Sequence, residues 1–402
     1  MIAYGEAIEV VLKNTRKLGT ETVEIISSVE RVLREDIYSD IDNPPFDNSE
    51  MDGYAVKAQD TKNASKLNPV ILKISDTIPA GKITAYKLKK GETACIMTGA
   101  QIPEGANAVI KVEDTKNISE NEIEINKNIS KGNHIRYKGE DLQKGELILK
   151  NGIRITPPII SLLAMVGKKY VKVSQKPRVG ILITGDELVE PEITPPPGKI
   201  RNCSAYYLYS QIIKEGGIPS YYGIIKDNYA EIKEKIYEIL NLSDILITTG
   251  GVSVGKYDYV SKIFEELDVD IKFRKVAIKP GKPTVFGTKN SNIIFGLPGN
   301  PVSTIITFTK FVSPCISKMM GIESSQRKII PCISDENISL EKGRKNFVRV
   351  RVEKRNNQIY AKTTGAQASA RLKSIIKAEG IMLLSEQKNE VKKGEMVLVE
   401  LF

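Results

Sequence analysis

The spacing of hydrophobic residues changes several times along the chain, and each change predicts a different kind of structure. Four apolar residues near the start recur at helical spacing: Ala7, Ile8, Val11 and Leu12. A second apolar set, between residues 23 and 33, predicts a short strand and then another helix. From about residue 54 to residue 149, short β-rich runs alternate with Gly, Asn and Lys, which predicts an inserted β domain.

The second half of the chain alternates strand and helix patterns. The predicted strands are 179–183, 220–225, 245–247, 271–276, 284–286 and 293–295, and the predicted helices are 206–214, 229–240 and 301–319. Such alternation is typical of a parallel α/β sheet, in which ligands bind at the carboxyl ends of the strands. The last stretch returns to alternating runs, which predicts a small β-barrel.

The predicted fold class is therefore multidomain, α/β plus β. We predict four domains: a helical and extended domain (1–46 with 150–175), an inserted β domain (47–149), a parallel α/β sheet domain (176–325) and a C-terminal small β-barrel (326–402). A chain of 402 residues is too long for one compact core, which agrees with this division.

Composition limits the classes of function. Lys and Arg total 59 against 49 Asp and Glu, a formal charge of +10 that favours anionic partners. The basic residues are dispersed and Trp is absent, so we predict a phosphorylated small ligand rather than nucleic acid. The single histidine, His134, argues against a histidine-based triad.

Cellular location follows from the cysteines and from the apolar runs. The four cysteines form no Cys-x-x-Cys pair, which argues against a zinc cluster and fits a reducing compartment. No apolar run approaches the length of about 20 residues that a membrane span needs, and no leader pattern opens the chain. We therefore expect a cytoplasmic protein without a membrane partner.

A glycine-rich loop follows the strand at 245–247. Gly250, Gly251, Ser253 and Gly255 lie where a strand ends and backbone amides become available, so the loop can bind an anion. The alternative is an ordinary tight turn.

Two carboxylates follow another strand of the same predicted sheet. Asp186 and Glu187 should face the same crevice as the glycine loop, and Asp258 lies just beyond that loop. Carboxylates beside a phosphate-binding loop predict a divalent cation, most simply Mg²⁺. The alternative is that these acids are only solvated.

Lysines and a second glycine-containing turn complete the set. Lys275, Lys279 and Lys282 surround one proline-stiffened turn and can hold a phosphate or an oxyanion such as molybdate; the alternative is ordinary surface lysines. The segment with Pro298, Gly299 and Pro301 then ends a strand and opens a helix, where free amides can bind another anionic group.

Several further stretches complete a set of motifs that can be compared with a known family. These motifs are Phe46-Asp47-Asn48-Ser49, Met51 to Val56, Met97-Thr98-Gly99-Ala100, Gly139-Glu140-Asp141, Thr184 to Leu188, Gly250 to Gly255 with Asp258-Tyr259, Lys279 to Pro283, and Gly296 to Pro301. Together they resemble the molybdopterin molybdenumtransferase family, to which the C-terminal domain of gephyrin also belongs. The resemblance runs nearly end to end. Molybdopterin adenylyltransferases share the α/β domain and a similar glycine loop, but the segment from Asp47 to Val56 separates the two families.

The resemblance implies an activity and a site. The activity is insertion of molybdate, or tungstate, into adenylylated molybdopterin, assisted by Mg²⁺, with release of AMP and molybdenum cofactor. The α/β domain is then of the molybdopterin-binding type, and the active cleft lies between the subunits of a homodimer. The residues that match family site positions are Asp52, Thr98 and Asp141 from the other subunit, the acids Glu187, Asp227 and Asp258, the lysines 275, 279 and 282, and the barrel residues Arg349 and Ser369.

Some questions stay open at the level of sequence. Asn202-Cys203-Ser204 stands where relatives commonly carry an acid, which puts a cation or nucleotide contact from that loop in doubt. The adenylylation step itself, and a non-catalytic scaffold that binds the cofactor, are the alternative functions. A molybdopterin adenylyltransferase is a possible partner. The preference between molybdate and tungstate does not follow from the residues, since both are tetrahedral dianions.

Overall fold

A computed structural model describes residues 1–251, 259–322 and 327–402. Ser253, Gly255 and Asp258 lie outside the described residues. Contacts divide the chain into two compact units. The first, here called the α/β-barrel unit, contains Met1–Glu35, Asn151–Ile160 and Tyr170–Phe402, and the second, here called the inserted unit, contains Asp36–Lys150 and Ser161–Lys169. The finer division into four domains remains a prediction.

A six-stranded sheet forms the centre of the α/β-barrel unit. Its strands, in spatial order, are Ile218–Ile225, Arg178–Thr184, Ile245–Thr249, Asn292–Leu297, Val285–Lys289 and Asp270–Phe273. The first four are mutually parallel, as predicted. Val285–Lys289 is antiparallel to both of its neighbours, so Asp270–Phe273 runs in the direction of the first four. The antiparallel pairing follows from the connection, because only two residues join Val285–Lys289 to Asn292–Leu297 and a parallel crossover needs a dozen or more.

Helices cover both faces of this sheet, because alternate strand residues point to opposite sides. Ile181, Ile247 and Phe295 belong to one apolar cluster, whereas their neighbours in sequence Leu182, Leu246 and Ile294 belong to another. The covering helices are Ser204–Glu215, Tyr229–Leu242, Tyr259–Glu266, Pro301–Thr307 and Ser313–Met319, with a π-helical turn at Phe308–Val312.

The start of the chain packs on this layer through the helix Tyr4–Lys13, whose Ala7 and Val11 are fully buried. The strand Thr20–Glu24 pairs with Tyr170–Ser174. The second helix predicted between residues 23 and 33 is wrong. Only a short 3₁₀ turn forms at Ile25–Ser27, and Val32 and Leu33 make single β-bridges instead. Glu30, with φ of 62°, ends any helical path before Val32.

The C-terminal region closes into a five-stranded barrel, which confirms the predicted fold class. Its strands, in order around the barrel, are Lys345–Arg355, Gln358–Thr363, Ile329–Ser334, Met396–Leu401 and Gly380–Leu384, and the last pairs with the first. Smaller elements of the region are the strand pair Ile338–Ser339 with Glu390–Val391 and the helix Leu372–Ile376. A short strand, Ile278–Lys279, adds to the barrel strand Lys345–Arg355 and so joins the lysine segment to the barrel.

The inserted unit is built on a second six-stranded sheet. Its strands, in spatial order, are Ala108–Lys111, Gly53–Val56, Glu92–Ile96, Val70–Ile78, Glu122–Ile125 and Thr115–Ser119. Short pairs flank the sheet: Asn48–Ser49 with Ile135–Arg136, and Ile37–Tyr38 with Leu147–Leu149. The helix Pro157–Met165 forms as predicted, and Gly167 follows it with φ of 72°. In the part of the chain that the structure describes, no helix is both long and apolar enough to cross a membrane.

Candidate active site

The predicted residues of the α/β layer meet at one edge of its sheet. The four parallel strands all end at this edge, and the antiparallel strand Val285–Lys289 begins there, because Val285 lies opposite Gly296. Strand Asp270–Phe273 ends at the same edge, since Phe273 lies opposite Phe286. From one side to the other, the edge therefore carries Asp227, then Asp186 and Glu187, then Gly250 and Gly251, then Pro298 and Gly299, then Lys282, then Lys275.

The acids form one side of this edge. The backbone N–H of Asp227 donates to Asp186 Oδ1 at 3.2 Å, and the N–H of Gly185 donates to the carbonyl of Ile225 at 3.4 Å. Burial raises the pKa of Asp227, and the negative charges of Asp186 and Glu187 raise it further. The structure thus brings together three acids from two strand ends, and their mutual repulsion favours a cation.

The glycine loop stands in the middle of the edge. Gly250 has φ of 87°, and a Cβ there would lie 2.5 Å from the carbonyl oxygen of Thr184. Gly251 has φ of 61°. The loop also approaches the turn that follows the next strand, since a Cβ on Gly299 would lie 4.0 Å from the Gly250 backbone. Bare backbone is therefore required at Gly250, which favours the anion-binding interpretation over a tight turn of any sequence.

The lysine segment packs against the helix Pro301–Thr307. A Cβ on Gly281 would lie 2.6 Å from the methyl group of Thr307, so this turn and helix are in direct contact. Val276 N–H donates to the carbonyl of Lys282 at 3.0 Å and closes the turn. Lys279 is already paired, because its Nζ lies 3.1 Å from Glu341 Oε2, and this pairing lowers the pKa of Glu341. Lys275 and Lys279 are exposed and Lys282 is half-buried.

Two predicted barrel residues lie next to the same helix. Val302 N–H, at the helix start, donates to the carbonyl of Ser369 at 3.1 Å. Arg349 is completely buried, and its Nη2 donates to the carbonyl of Ala368 at 3.3 Å. Its Nε and Nη1 have no hydrogen-bond partner among the described residues, and burial lowers the pKa of Arg349 to about 10. A buried guanidinium with unused donors is costly, and a bound anion would remove that cost.

In the inserted unit, Asp52 and Thr98 come together as one group. Both the backbone N–H and the hydroxyl of Thr98 donate to Asp52 Oδ1, at 2.7 and 2.8 Å. These bonds, the backbone bond first, lower the pKa of the exposed Asp52 carboxyl. Gly53 supports the arrangement, because a Cβ there would lie 1.9 Å from the carbonyl oxygen of Ile110.

Asp141 belongs to a different group of the same unit. Its Oδ2 accepts a hydrogen bond from Asn43 Nδ2 at 2.8 Å, and its N–H donates to the Asn43 carbonyl at 3.0 Å. Within the described residues, no hydrogen bond or ion pair links it to Asp52 or Thr98. The structure therefore groups two of the three predicted residues of this unit.

The loop that lacks the familiar acid has a structural role. Asn202 is buried, and its Oδ1 accepts a hydrogen bond from Ala205 N–H at 3.2 Å, in the first turn of the helix Ser204–Glu215. Its Nδ2 donates to Tyr221 Oη at 2.9 Å. A neutral amide can both accept from the helix and donate to the tyrosine, whereas a carboxylate can only accept.

The donor set on the acidic side suits Mg²⁺ held in part through water. Among the described residues no three carboxylate, thiol or imidazole groups are arranged as a complete metal site. Asp186 and Glu187 are exposed carboxylates at one strand end, and Mg²⁺ is commonly bound by one or two carboxylates together with substrate phosphates. The two residues therefore fit such an ion.

Two neighbours of the predicted residues were missed from the sequence. Gln367 holds the backbone of Arg349, accepting from its N–H at 2.9 Å and donating to its carbonyl at 3.3 Å. Lys199 Nζ donates to the carbonyl of Asp186. Gln367 lies two residues before Ser369, which matches a family site position, so its place in the sequence was an available signal. Lys199 lies 13 residues beyond Asp186 and had no such signal.

The fold is that of an α/β enzyme class, in which acids, glycine turns and lysines meet in a crevice at the carboxyl ends of the strands. Comparison with known proteins agrees. Residues 2–167 match the MoeA N-terminal region (domain I and II), residues 180–318 a probable molybdopterin binding domain, and residues 333–402 the MoeA C-terminal region (domain IV).

Relatives cover almost the whole chain. The molybdopterin molybdenumtransferase of Bacillus subtilis (strain 168) is 36% identical over 99% of this chain and 93% of its own length. That of Staphylococcus epidermidis is 32% identical over 98% of this chain and 94% of its own. The crystal structure of the molybdopterin biosynthesis moeA protein from Pyrococcus horikoshii OT3 matches with a TM-score of 0.84 and 31% identity, and each chain is covered completely. The chain belongs to the molybdopterin molybdenumtransferase family.

Proposed function

We propose that this chain transfers molybdenum, as molybdate, to adenylylated molybdopterin and releases AMP and molybdenum cofactor. The observation that carries the proposal is the order of groups along one sheet edge, from carboxylates through glycine turns to lysines. Family membership supports the same substrates. A ligand with a pyrophosphate and a separate oxyanion would match this order of groups.

The basic side would hold the oxyanion. Lys275 and Lys282 supply ammonium groups, and Arg349 supplies the N–H donors of Nε and Nη1, two nitrogens that have no partner in the described residues. Lys279 would have to leave Glu341 in order to take part, since the two form an ion pair at 3.1 Å. A doubly charged oxyanion attracts an ammonium more strongly than one carboxylate does, so this exchange is physically reasonable.

The acidic side and the glycine turns would hold the pyrophosphate end of the substrate. The amides of Gly250 and Gly299 would bind the phosphates, and Asp186 and Glu187, with Asp258, would hold Mg²⁺. When bound, that ion neutralises charge on the pyrophosphate and so eases the departure of AMP. Asp227, whose pKa is raised, lies beside these acids.

We further propose a cytoplasmic homodimer in which Asp52, Thr98 and Asp141 of one subunit complete the site of the other. The Asp52–Thr98 group is preformed and exposed, as a group that meets a ligand from another subunit should be. A molybdopterin adenylyltransferase is the expected supplier of the substrate.

AMP release tests the proposal. Purified protein with adenylylated molybdopterin, Mg²⁺ and molybdate should release AMP, and omission of molybdate or chelation of Mg²⁺ should stop it. Absence of release above background would refute metal transfer. AMP incorporation from ATP into free molybdopterin would instead indicate the adenylylation step. Competition between molybdate and tungstate in the same assay would establish the preferred metal.

The role of Arg349 has its own test. Arg349→Met should raise the molybdate concentration for half-maximal AMP release by at least about tenfold, since a charge-assisted contact is lost from a buried place. Arg351→Met is the matched control, because Arg351 lies two residues along the same strand and is exposed. Equal molybdate dependence in the two variants would remove Arg349 from the oxyanion site.

A further inference from the structure

A second cavity of about 770 Å³ lies at the other edge of the α/β layer. Its walls come from the end of the helix Ser204–Glu215, the helix Ser313–Met319, the loop 151–154 and the last barrel strand. The helix Ser204–Glu215 starts beside Asn202 and ends near the beginning of the strand Arg178–Thr184, where Ile218 N–H donates to the Pro177 carbonyl. Twelve helical residues span about 18 Å, so this cavity is separate from the candidate active site.

Basic side chains dominate the polar part of this cavity. Arg154, Lys214, Arg327 and Lys328 line it, against the α-carboxylate of Phe402 and the side-chain carboxylate of Glu215. The Glu215 carboxylate is engaged already, because it accepts from Arg327 Nη2 at 3.2 Å and from Gln211 Nε2 at 3.1 Å.

The remaining charges do not cancel the lysines. Arg154 Nη1 lies 3.5 Å from a carboxylate oxygen of Glu30, and Glu400, which is 3.9 Å from Arg327, pairs at 2.6 Å with Lys310. Lys214 and Lys328 are exposed, and neither has an ion-pair partner in residues 1–251, 259–322 and 327–402. Within the described part of the chain, the cavity therefore presents two ammonium groups that no carboxylate pairs with.

Part of the lining is apolar. Ile153, Ile322 and Leu401 contribute hydrocarbon surface, and Ser313 and Ser317 also line the cavity. A cavity of this size matches a small molecule rather than a polypeptide or a nucleic acid. Inorganic phosphate would use only the cationic part and would leave the apolar part in contact with water.

We propose that this cavity binds a small organic phosphate of mononucleotide size. The phosphate contacts Lys214, Lys328 and Arg154, and the ring of the ligand packs on Ile153, Ile322 and Leu401. Such a ligand matches both the charge and the apolar surface, and none of these residues belongs to the molybdenum-transfer site.

Calorimetric titration with AMP tests the proposal, and it does so without the transfer reaction. The variant Lys214→Gln with Lys328→Gln should weaken one AMP site by at least about tenfold, because two charges facing a phosphate dianion are lost. The control variant Lys116→Gln with Lys131→Gln changes the same charge at exposed positions of the inserted unit and should bind AMP as the unchanged protein does.

The two AMP sites are separated by a third variant. Asp186→Asn with Glu187→Gln alters the side of the candidate active site that would hold the pyrophosphate, and its AMP isotherm should keep the site that Lys214→Gln with Lys328→Gln removes. Identical AMP isotherms for Lys214→Gln with Lys328→Gln and for the control Lys116→Gln with Lys131→Gln would overturn the proposal. So would equal affinity for inorganic phosphate and AMP. Failure of AMP release in the transfer assay, with this binding intact, would affect only the proposed function.

Discussion

Gly250 shows how one residue determines the centre of the candidate site. Its φ of 87° disfavours any side chain, and a Cβ would also collide with the Thr184 carbonyl oxygen at 2.5 Å. Gly223 has nearly the same φ, 86°, but a Cβ there would meet nothing within 4 Å. The two glycines therefore separate the cost of the dihedral angle from the cost of the collision.

We expect Gly223→Ala to lower the free energy of unfolding by about 1–2 kcal/mol, the cost of the left-handed conformation. Gly250→Ala should lower it by at least about 1 kcal/mol more, because the backbone has to move to relieve the collision. Urea denaturation measures both. Equal losses in the two variants would mean that the loop moves freely and that its amides are not held for a ligand.

Thr98 controls the protonation of Asp52. The pKa of Asp52 is lowered, so its carboxylate stabilises the fold above the ordinary Asp range and loses that effect only as pH falls through the lowered value. Thr98→Val removes the hydroxyl bond but keeps the backbone bond, and the pKa of Asp52 should rise part of the way to its ordinary value. Carbon-13 NMR titration of the carboxyl groups measures this rise. Thr115→Val is the control, because the Thr115 hydroxyl donates to the Val112 carbonyl and not to Asp52. If the pKa of Asp52 rose equally in Thr115→Val, the role given to Thr98 would be contradicted.

Residue types alone could identify the acids, lysines and glycines of the site, since strand ends and turn formers are visible in the pattern. They could not show that Lys279 is held by Glu341, which lies 62 positions away in sequence. Nor could they show that Arg349 is fully buried with donors that no described residue accepts from. Arg349 lies in a β-strand, where side chains point alternately inward and outward. The hydrophobic pattern of a strand does not predict a cation on its inner face. Such pairings depend on contacts distant in sequence.

At the scale of elements, the π-helical turn Phe308–Val312 places a lysine inside the protein. Lys310 is buried, and its ammonium lies 2.6 Å from Glu400 of the last barrel strand and 5.1 Å from the ring centroid of Phe347. Burial lowers the pKa of Lys310, while Glu400 opposes this change. The pair therefore links the α/β helices to the barrel.

Removing one member of this pair should be costly. Glu400→Gln should lower the free energy of unfolding by about 3 kcal/mol, because it leaves the buried ammonium without its counter-charge. Glu353→Gln breaks an exposed pair with Arg355 on the same barrel and should cost less than about 1 kcal/mol. Thermal denaturation compares the two. The double variant Lys310→Met with Glu400→Leu should regain most of the lost stability. If Glu400→Gln and Glu353→Gln lowered the free energy of unfolding equally, the buried pair would have no special structural role.

Most elements followed from local patterns, and the failures have identifiable causes. Helix Ser204–Glu215 and the strands around it match the periodicity, since each buries one regular face. The expected helix after residue 29 is absent because Val32 and Leu33 find partners in Arg154 and Val173, more than 100 positions away. The antiparallel direction of Val285–Lys289 likewise arises from its two-residue connection to Asn292–Leu297, which the alternation of strands and helices did not reveal.

At the scale of the whole molecule, subunit exchange tests the proposed shared site. Asp52→Asn and Lys282→Gln should each abolish activity as homodimers, but a mixed dimer should contain one intact site. Random mixing makes about half of the dimers mixed, so about one quarter of the wild-type activity should return. Co-expression with two different affinity tags and an AMP-release assay measure this. No recovery in isolated mixed dimers would place Asp52 and Lys282 in the same site of a single chain.

The order of groups along the sheet edge has a consequence for the direction in which a ligand can lie. Carboxylates stand at one end and lysines at the other, with two glycine turns between them. At about 4.8 Å per strand, the Glu187 strand and the Lys282 strand are about 14 Å apart. A long ligand with different charges at its two ends would bind in one orientation only, because the reverse orientation would place its free oxyanion next to Asp186 and Glu187.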